Sequence, residues 1–86
     1  MTVKFYGGAL ERTGGEKTFE PKESLSLHEL IDELGNHFGE HLKEYLTDGK
    51  NCFFIINGKG IMTTGGLKSE LRPGDRIEVL PSIEAG

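Results

Sequence analysis

The sequence has no tryptophan, a single cysteine, three prolines and no two adjacent basic residues. Each shortage excludes something. One Cys forms no internal disulfide, and an 86-residue domain without covalent staples is expected to work in a reducing cytosol. Fourteen acidic residues against ten basic ones leave a net charge of −4, so the basic surplus of a nucleic-acid binder is missing. The longest apolar run is the four residues 53–56, far short of the about 18–20 that cross a membrane. The opening Met1-Thr2-Val3-Lys4-Phe5 has no charged leader before a long apolar stretch, so no signal peptide is expected. A chain this short has room for one core and no separate catalytic domain. No Ser/His/Asp or paired-carboxylate arrangement is defensible from spacing, and one small core offers little concavity for a pocket. The expectation is a protein that is not an enzyme and takes no cofactor.

What the chain has in excess is glycine, thirteen residues in all. Most punctuate a regular pattern. Residues 2–6 alternate, with Val3 and Phe5 on one side, and predict a strand ended by Gly7-Gly8. A loop closes at Gly14-Gly15, and residues 16–20 predict a second short strand stopped by Pro21, making a hairpin with a long loop. Ser26 followed by Glu29 is a capping box, with Leu25 and Leu30 at the staple positions. Leu27, Leu30, Ile31, Leu34 and Phe38 recur at helical spacing, predicting a helix over 27–38 that stops at Gly39. Gly35 weakens that helix from inside. Residues 40–47 predict a shorter helix with Leu42, Tyr45 and Leu46 inward. Residues 51–57 are the strongest strand. Asn57-Gly58 is a hairpin turn signal, with 60–63 returning, and 67–71 suggests one helical turn. Residues 76–80 predict the last strand, ended by Pro81. The order ββαβ(β)β predicts an α+β domain over 1–80, with the main helix on one face of a mixed four- to five-stranded sheet. Residues 81–86 read as a flexible C-terminal tail.

Four stretches carry a resemblance that covers the whole chain. They are Val3-Lys4-Phe5-Tyr6 with Ala9-Leu10-Glu11-Arg12-Thr13-Gly14; Ser26-Leu27-His28-Glu29-Leu30-Ile31; Ile55-Ile56-Asn57-Gly58; and the run from Leu71 through Arg72-Pro73-Gly74-Asp75 to Pro81. In this order and spacing the chain resembles the ubiquitin-like β-grasp sulfur carriers of the MoaD/ThiS family, nearest to the small subunit of molybdopterin synthase. That family ends in Gly-Gly, whereas this chain ends in Ala85-Gly86.

The resemblance implies that the carboxylate of Gly86 is adenylated by an E1-like adenylating enzyme and converted to a thiocarboxylate. The sulfur then passes on in the molybdopterin synthase large subunit or an analogous acceptor. Pro81, Ile83 and Ala85 would belong to the arm that threads the partner. A backbone ending in Gly suits a narrow channel, and Ala85 adds a Cβ and restricts φ. Two other readings remain: a ubiquitin-like modifier that joins Gly86 to lysines, and a binding domain whose tail never reacts.

Strand alternation places Tyr6, Phe53, Ile55 and Leu80 on the sheet face away from the helix. Four large apolar residues where a solvated sheet should be polar suggest a docking patch. A register slip of one residue would instead turn the 51–57 side chains into the core.

The remaining candidates read as structure. Cys52, inside an apolar strand, is expected to be a buried thiol. His37 and His41 have a zinc-like spacing of four but are separated by Gly39, and are expected to be solvated. Gly58-Lys59-Gly60 and Gly65-Gly66 lack the phosphate-loop spacing and read as turns. The charged stretch 40–43 reads as a solvated face.

Overall fold

The computed structural model describes residues 1–21, 25–48, 50–61 and 65–82, with Leu25 in its backbone alone. The strands are β1 (Thr2–Phe5), β2 (Thr18–Phe19), β3 (Leu25–Ser26), β4 (Cys52–Ile56), β5 (Lys59–Gly60), β6 (Glu70–Leu71) and β7 (Arg76–Pro81). The helices are α1 (Gly8–Arg12), α2 (Leu27–Phe38) and α3 (Glu40–Thr47), with a 3-10 turn at Gly66–Lys68.

Five strands form one sheet in the order β2-β1-β7-β4-β5. The central pair, β1 and β7, runs parallel, and the other neighbours are antiparallel. A hairpin, a crossover helix and a parallel return to the middle of the sheet make the ubiquitin-like β-grasp expected from the sequence.

Alternation decides the core. Val3, Phe5, Cys52, Phe54, Ile56, Ile77 and Val79 point to one side and are buried against Leu27, Leu30, Ile31 and Leu34 of α2 and Leu42 and Leu46 of α3. The capping box is present: the Glu29 amide donates to the Ser26 hydroxyl at 3.2 Å, and the Ser26 amide donates to the Glu29 carboxylate at 3.0 Å. The Leu25 side chain, the other half of the expected staple, lies outside the described residues. α2 ends at Gly39, where φ is 118° and the chain turns directly into α3. Gly35 has its reason in this turn: a Cβ there would lie 2.9 Å from Lys43 Cβ. The glycine lets α3 fold back closely on α2, which offsets its weak helix propensity.

Four expectations need correction. The loop after β1 contains helix α1, which five residues are too few to announce by periodicity. The stretch before β7 is a 3-10 turn followed by β6, whose two residues pair with β3 in a separate small sheet. The return strand after Asn57-Gly58 is Lys59–Gly60, and residues 62 and 63 lie outside the described residues. Finally, Pro81 belongs to β7 opposite Cys52, and the Ser82 amide donates to the Asn51 carbonyl at 3.1 Å. The sheet therefore holds the chain through Ser82, two residues beyond the expected boundary at 80. Proline fits the strand because its missing N–H falls at the end of the ladder.

Candidate functional site

Of the residues assigned to the reactive arm, Pro81 is in β7, whereas Ile83, Ala85 and Gly86 lie outside the described residues. The structure bears on what surrounds the base of the arm.

The first feature is the open face of the sheet. Along β4 the burial alternates, with Phe53 exposed and Ile55 half-buried between the buried Cys52, Phe54 and Ile56. Phe53 stands opposite Leu80, and Ile55 opposite Glu78. The Tyr6 amide donates to the Val79 carbonyl at 3.1 Å, carrying the β1 side of the ladder past Phe5 and setting Tyr6 beside Leu80. Tyr6, Phe53, Ile55 and Leu80 therefore share one face, with the register that alternation predicted. Tyr6 is 37% exposed and Phe53 44%, two of the three large apolar residues with high exposure among the described residues. The Tyr6 hydroxyl donates to the Glu78 carboxylate at 3.3 Å, a partner the sequence did not suggest. Beyond Glu78 the face turns polar, with Lys4 opposite Glu78 and Thr2 opposite Arg76. The apolar part is thus confined to the end of the sheet where the chain leaves it.

The second feature surrounds that exit. Gly7 has φ 59°, and a Cβ on it would lie 2.9 Å from Pro81 Cγ, so the proline ring packs directly on the Gly7 backbone. The Asn51 carbonyl accepts from the Ser82 amide and, at 3.2 Å, from the Tyr45 hydroxyl. The Asn51 side-chain amide returns a bond to the Tyr45 carbonyl at 3.4 Å. The Arg12 guanidinium lies 4.4 Å from the centre of the Tyr45 ring and donates to the Gly8 carbonyl at 3.1 Å. Burial raises the Tyr45 pKa above its ordinary value. Sequence reading missed Gly7, Tyr45 and Asn51. Gly7-Gly8 was legible only as a strand end, and Tyr45 only as an inward helical position.

The other candidates fall as follows. Cys52 is buried and its thiol is pushed up to about 11, first by burial and then by Asp48, which makes it a poor nucleophile. His37 and His41 sit on separate helices, and the His37 ring packs on Phe19 and Phe38. Among the described residues no group of His, Cys, Asp and Glu is placed to hold a metal ion. No helix among them is long and apolar enough to cross a membrane.

Comparisons with known proteins agree with this architecture. The ThiS family model matches residues 3–86. A protein of Archaeoglobus fulgidus described as a candidate sulfur carrier is 32% identical over 68 residues, covering 74% of this chain and 77% of the relative. A chain of the BexX/CysO complex of Amycolatopsis orientalis superposes with a TM-score of 0.78 at 26% identity, covering 99% of this chain and 98% of that one. A chain of the complex of subunits 1 and 2 of molybdopterin-converting factor from Helicobacter pylori gives 0.65 at 30% identity, covering 99% and 96%. The chain belongs to the ThiS family and is a β-grasp sulfur carrier of the ThiS/MoaD type.

Proposed function

We propose that this carrier works through the terminal carboxylate of Gly86 and acts as a reagent, not a catalyst. An E1-like enzyme joins the carboxylate to the α-phosphate of ATP and releases pyrophosphate. A sulfide-level sulfur donor then attacks the acyl carbon and displaces AMP, leaving a thiocarboxylate. The sulfur passes to a precursor held by a second protein, of which the large subunit of molybdopterin synthase is the model, and hydrolysis restores the carboxylate.

The observation that carries this reading is the family match over 3–86, which includes the arm and its terminal glycine. The apolar end of the open face, next to the arm's base, supports docking by the same partners. The 30% identity to the molybdopterin-converting factor chain favours a molybdopterin-type acceptor, and the likeness to the BexX/CysO complex favours a different acceptor on the same chemistry. The arrangement needs an adenylating enzyme and an acceptor as partners, and the chemistry belongs in the reducing cytosol.

Intact mass spectrometry after incubation with the adenylating enzyme, ATP and a sulfur donor tests this. Replacement of one oxygen by sulfur at Gly86 is the expected result. Adducts to lysine would instead assign the chain to the protein modifiers. Absence of any change with the cognate enzyme would leave a binding domain with an inert tail. Adding the loaded carrier to a molybdopterin synthase large subunit and its pterin precursor then identifies the acceptor.

A further inference from the structure

Residues 83–86 come after Ser82, and four extended residues span at most about 14 Å. Ser82 is the last residue whose backbone the sheet is seen to hold before the Gly86 carboxylate of the adenylation reading. A tilt of about 10° at the base moves the far end of this roughly 14 Å span by about 2 Å. Misplacement of a reacting atom by about 1 Å can cost about a hundredfold in rate. The geometry at Ser82 therefore matters out of proportion to its distance from the chemistry.

That geometry is held from two sides. On one side Pro81 rests on Gly7, whose missing Cβ allows the approach and whose φ of 59° suits glycine. On the other, the Asn51 carbonyl receives the Ser82 amide while the Tyr45 hydroxyl fixes the same carbonyl. Tyr45 is in turn located by Arg12 over its ring and by Gly8, where a Cβ would lie 2.5 Å from the hydroxyl. Two helices, α1 and α3, thus converge on the exit point of a strand they do not otherwise extend.

We propose that Gly7, Tyr45 and Asn51 form a collar that aims the C-terminal arm, with Gly7 and Tyr45 acting as positioning residues for adenylation of Gly86. The inference rests on the adenylation reading above. Docking through the open face sets KM, and the collar sets how often a docked carrier presents its carboxylate correctly, which sets kcat. A merely structural loss would act differently. It would lower the folded fraction and raise the apparent KM while leaving kcat unchanged.

The test compares wild type, Tyr45→Phe and Gly7→Ala as full-length chains. ATP–pyrophosphate exchange by the E1-like enzyme is measured against carrier concentration, and exchange of the Ser82 amide is followed by NMR. Tyr45→Phe keeps the ring and removes one hydroxyl, so it remains informative if Gly7→Ala does not fold. The expected result is a fall in kcat of about tenfold at unchanged KM, with faster exchange at Ser82 in both variants. Unchanged kcat in Tyr45→Phe, or a rise in KM alone, overturns the collar. So does unaltered Ser82 exchange in both variants, which needs no partner to measure. Inert wild type would overturn the adenylation reading instead, and the two failures are distinguishable.

Discussion

Phe53 stands directly across from Leu80 on the open face of the sheet, one strand position from the point where Pro81 pairs with Cys52. The exposed aromatic and the exit of the arm are therefore parts of one surface, and a partner that covers Phe53 also meets the arm. Phe53→Glu is expected to weaken capture by the adenylating enzyme and the acceptor subunit while changing stability by no more than about 1 kcal/mol, as exposed substitutions do. Pull-down and thermal melting check the two halves. Unfolding on this change would assign Phe53 to the core.

Gly35→Ala should destabilise the protein even though alanine is the better helix former. The propensity gain is about 1 kcal/mol. It is set against overpacking of Lys43 Cβ, which costs about 1–3 kcal/mol where backbones are already close. Urea unfolding is expected to show a net loss of about 1 kcal/mol, and a gain would mean that α3 moves away freely.

The Asp75 carboxylate accepts from the Asn57 side chain at 2.9 Å and from the Arg72 amide at 2.8 Å, and these bonds hold its pKa below the ordinary 3.8. The folded state therefore binds this proton less readily than the unfolded chain. The resulting stability is present above 3.8 and is lost as the pH falls through the lower folded value. Chemical unfolding followed from neutral pH into that acid range should show the decline, and Asp75→Ala should flatten it. An equally steep decline in the variant would assign it to other carboxylates.

With its thiol pushed up to about 11 and buried, Cys52 should resist alkylation in the folded protein. Iodoacetamide labelling near neutral pH is expected to follow global unfolding, and Cys52→Ala should still acquire sulfur at Gly86. Loss of sulfur loading in a folded Cys52→Ala variant would give the thiol a chemical role.

Ala85 departs from the Gly-Gly ending of the family that the chain resembles. If its methyl narrows the fit in a partner channel, Ala85→Gly should load sulfur up to about tenfold faster, equivalent to about 1.4 kcal/mol of relieved clash. Initial rates of thiocarboxylate formation measure it. A slower Gly variant would show that the partner has adapted to the methyl.

Much of this architecture was legible because its signals are local. Ser26 and Glu29 mark the start of α2 three residues apart, the apolar spacing of 27–38 carries its length, and Asn57 and Gly58 take the positive φ of 50° and 83° that their hairpin demands. The burial of alternate residues in β4 likewise follows from period two. The short elements were less legible. α1 has five residues, and β3 and β6 have two each. Elements this short carry too few side chains to express a period, and they form because the rest of the fold holds their ends.

The sequence by itself determined the fold class, the long helix, the faces of the strands and the terminal glycine, because each depends on neighbours within a few positions or on residue type alone. Only the tertiary structure decided that Gly35 is a packing requirement, that Pro81 and Ser82 belong to the sheet, and that Gly7, Tyr45 and Asn51 meet around them. Gly7, the Tyr45–Asn51 pair and Pro81-Ser82 stand about thirty or more positions apart in the chain, and no periodicity links them. They come together because β7 returns parallel to β1 in the middle of the sheet, bringing the end of the chain back against its beginning.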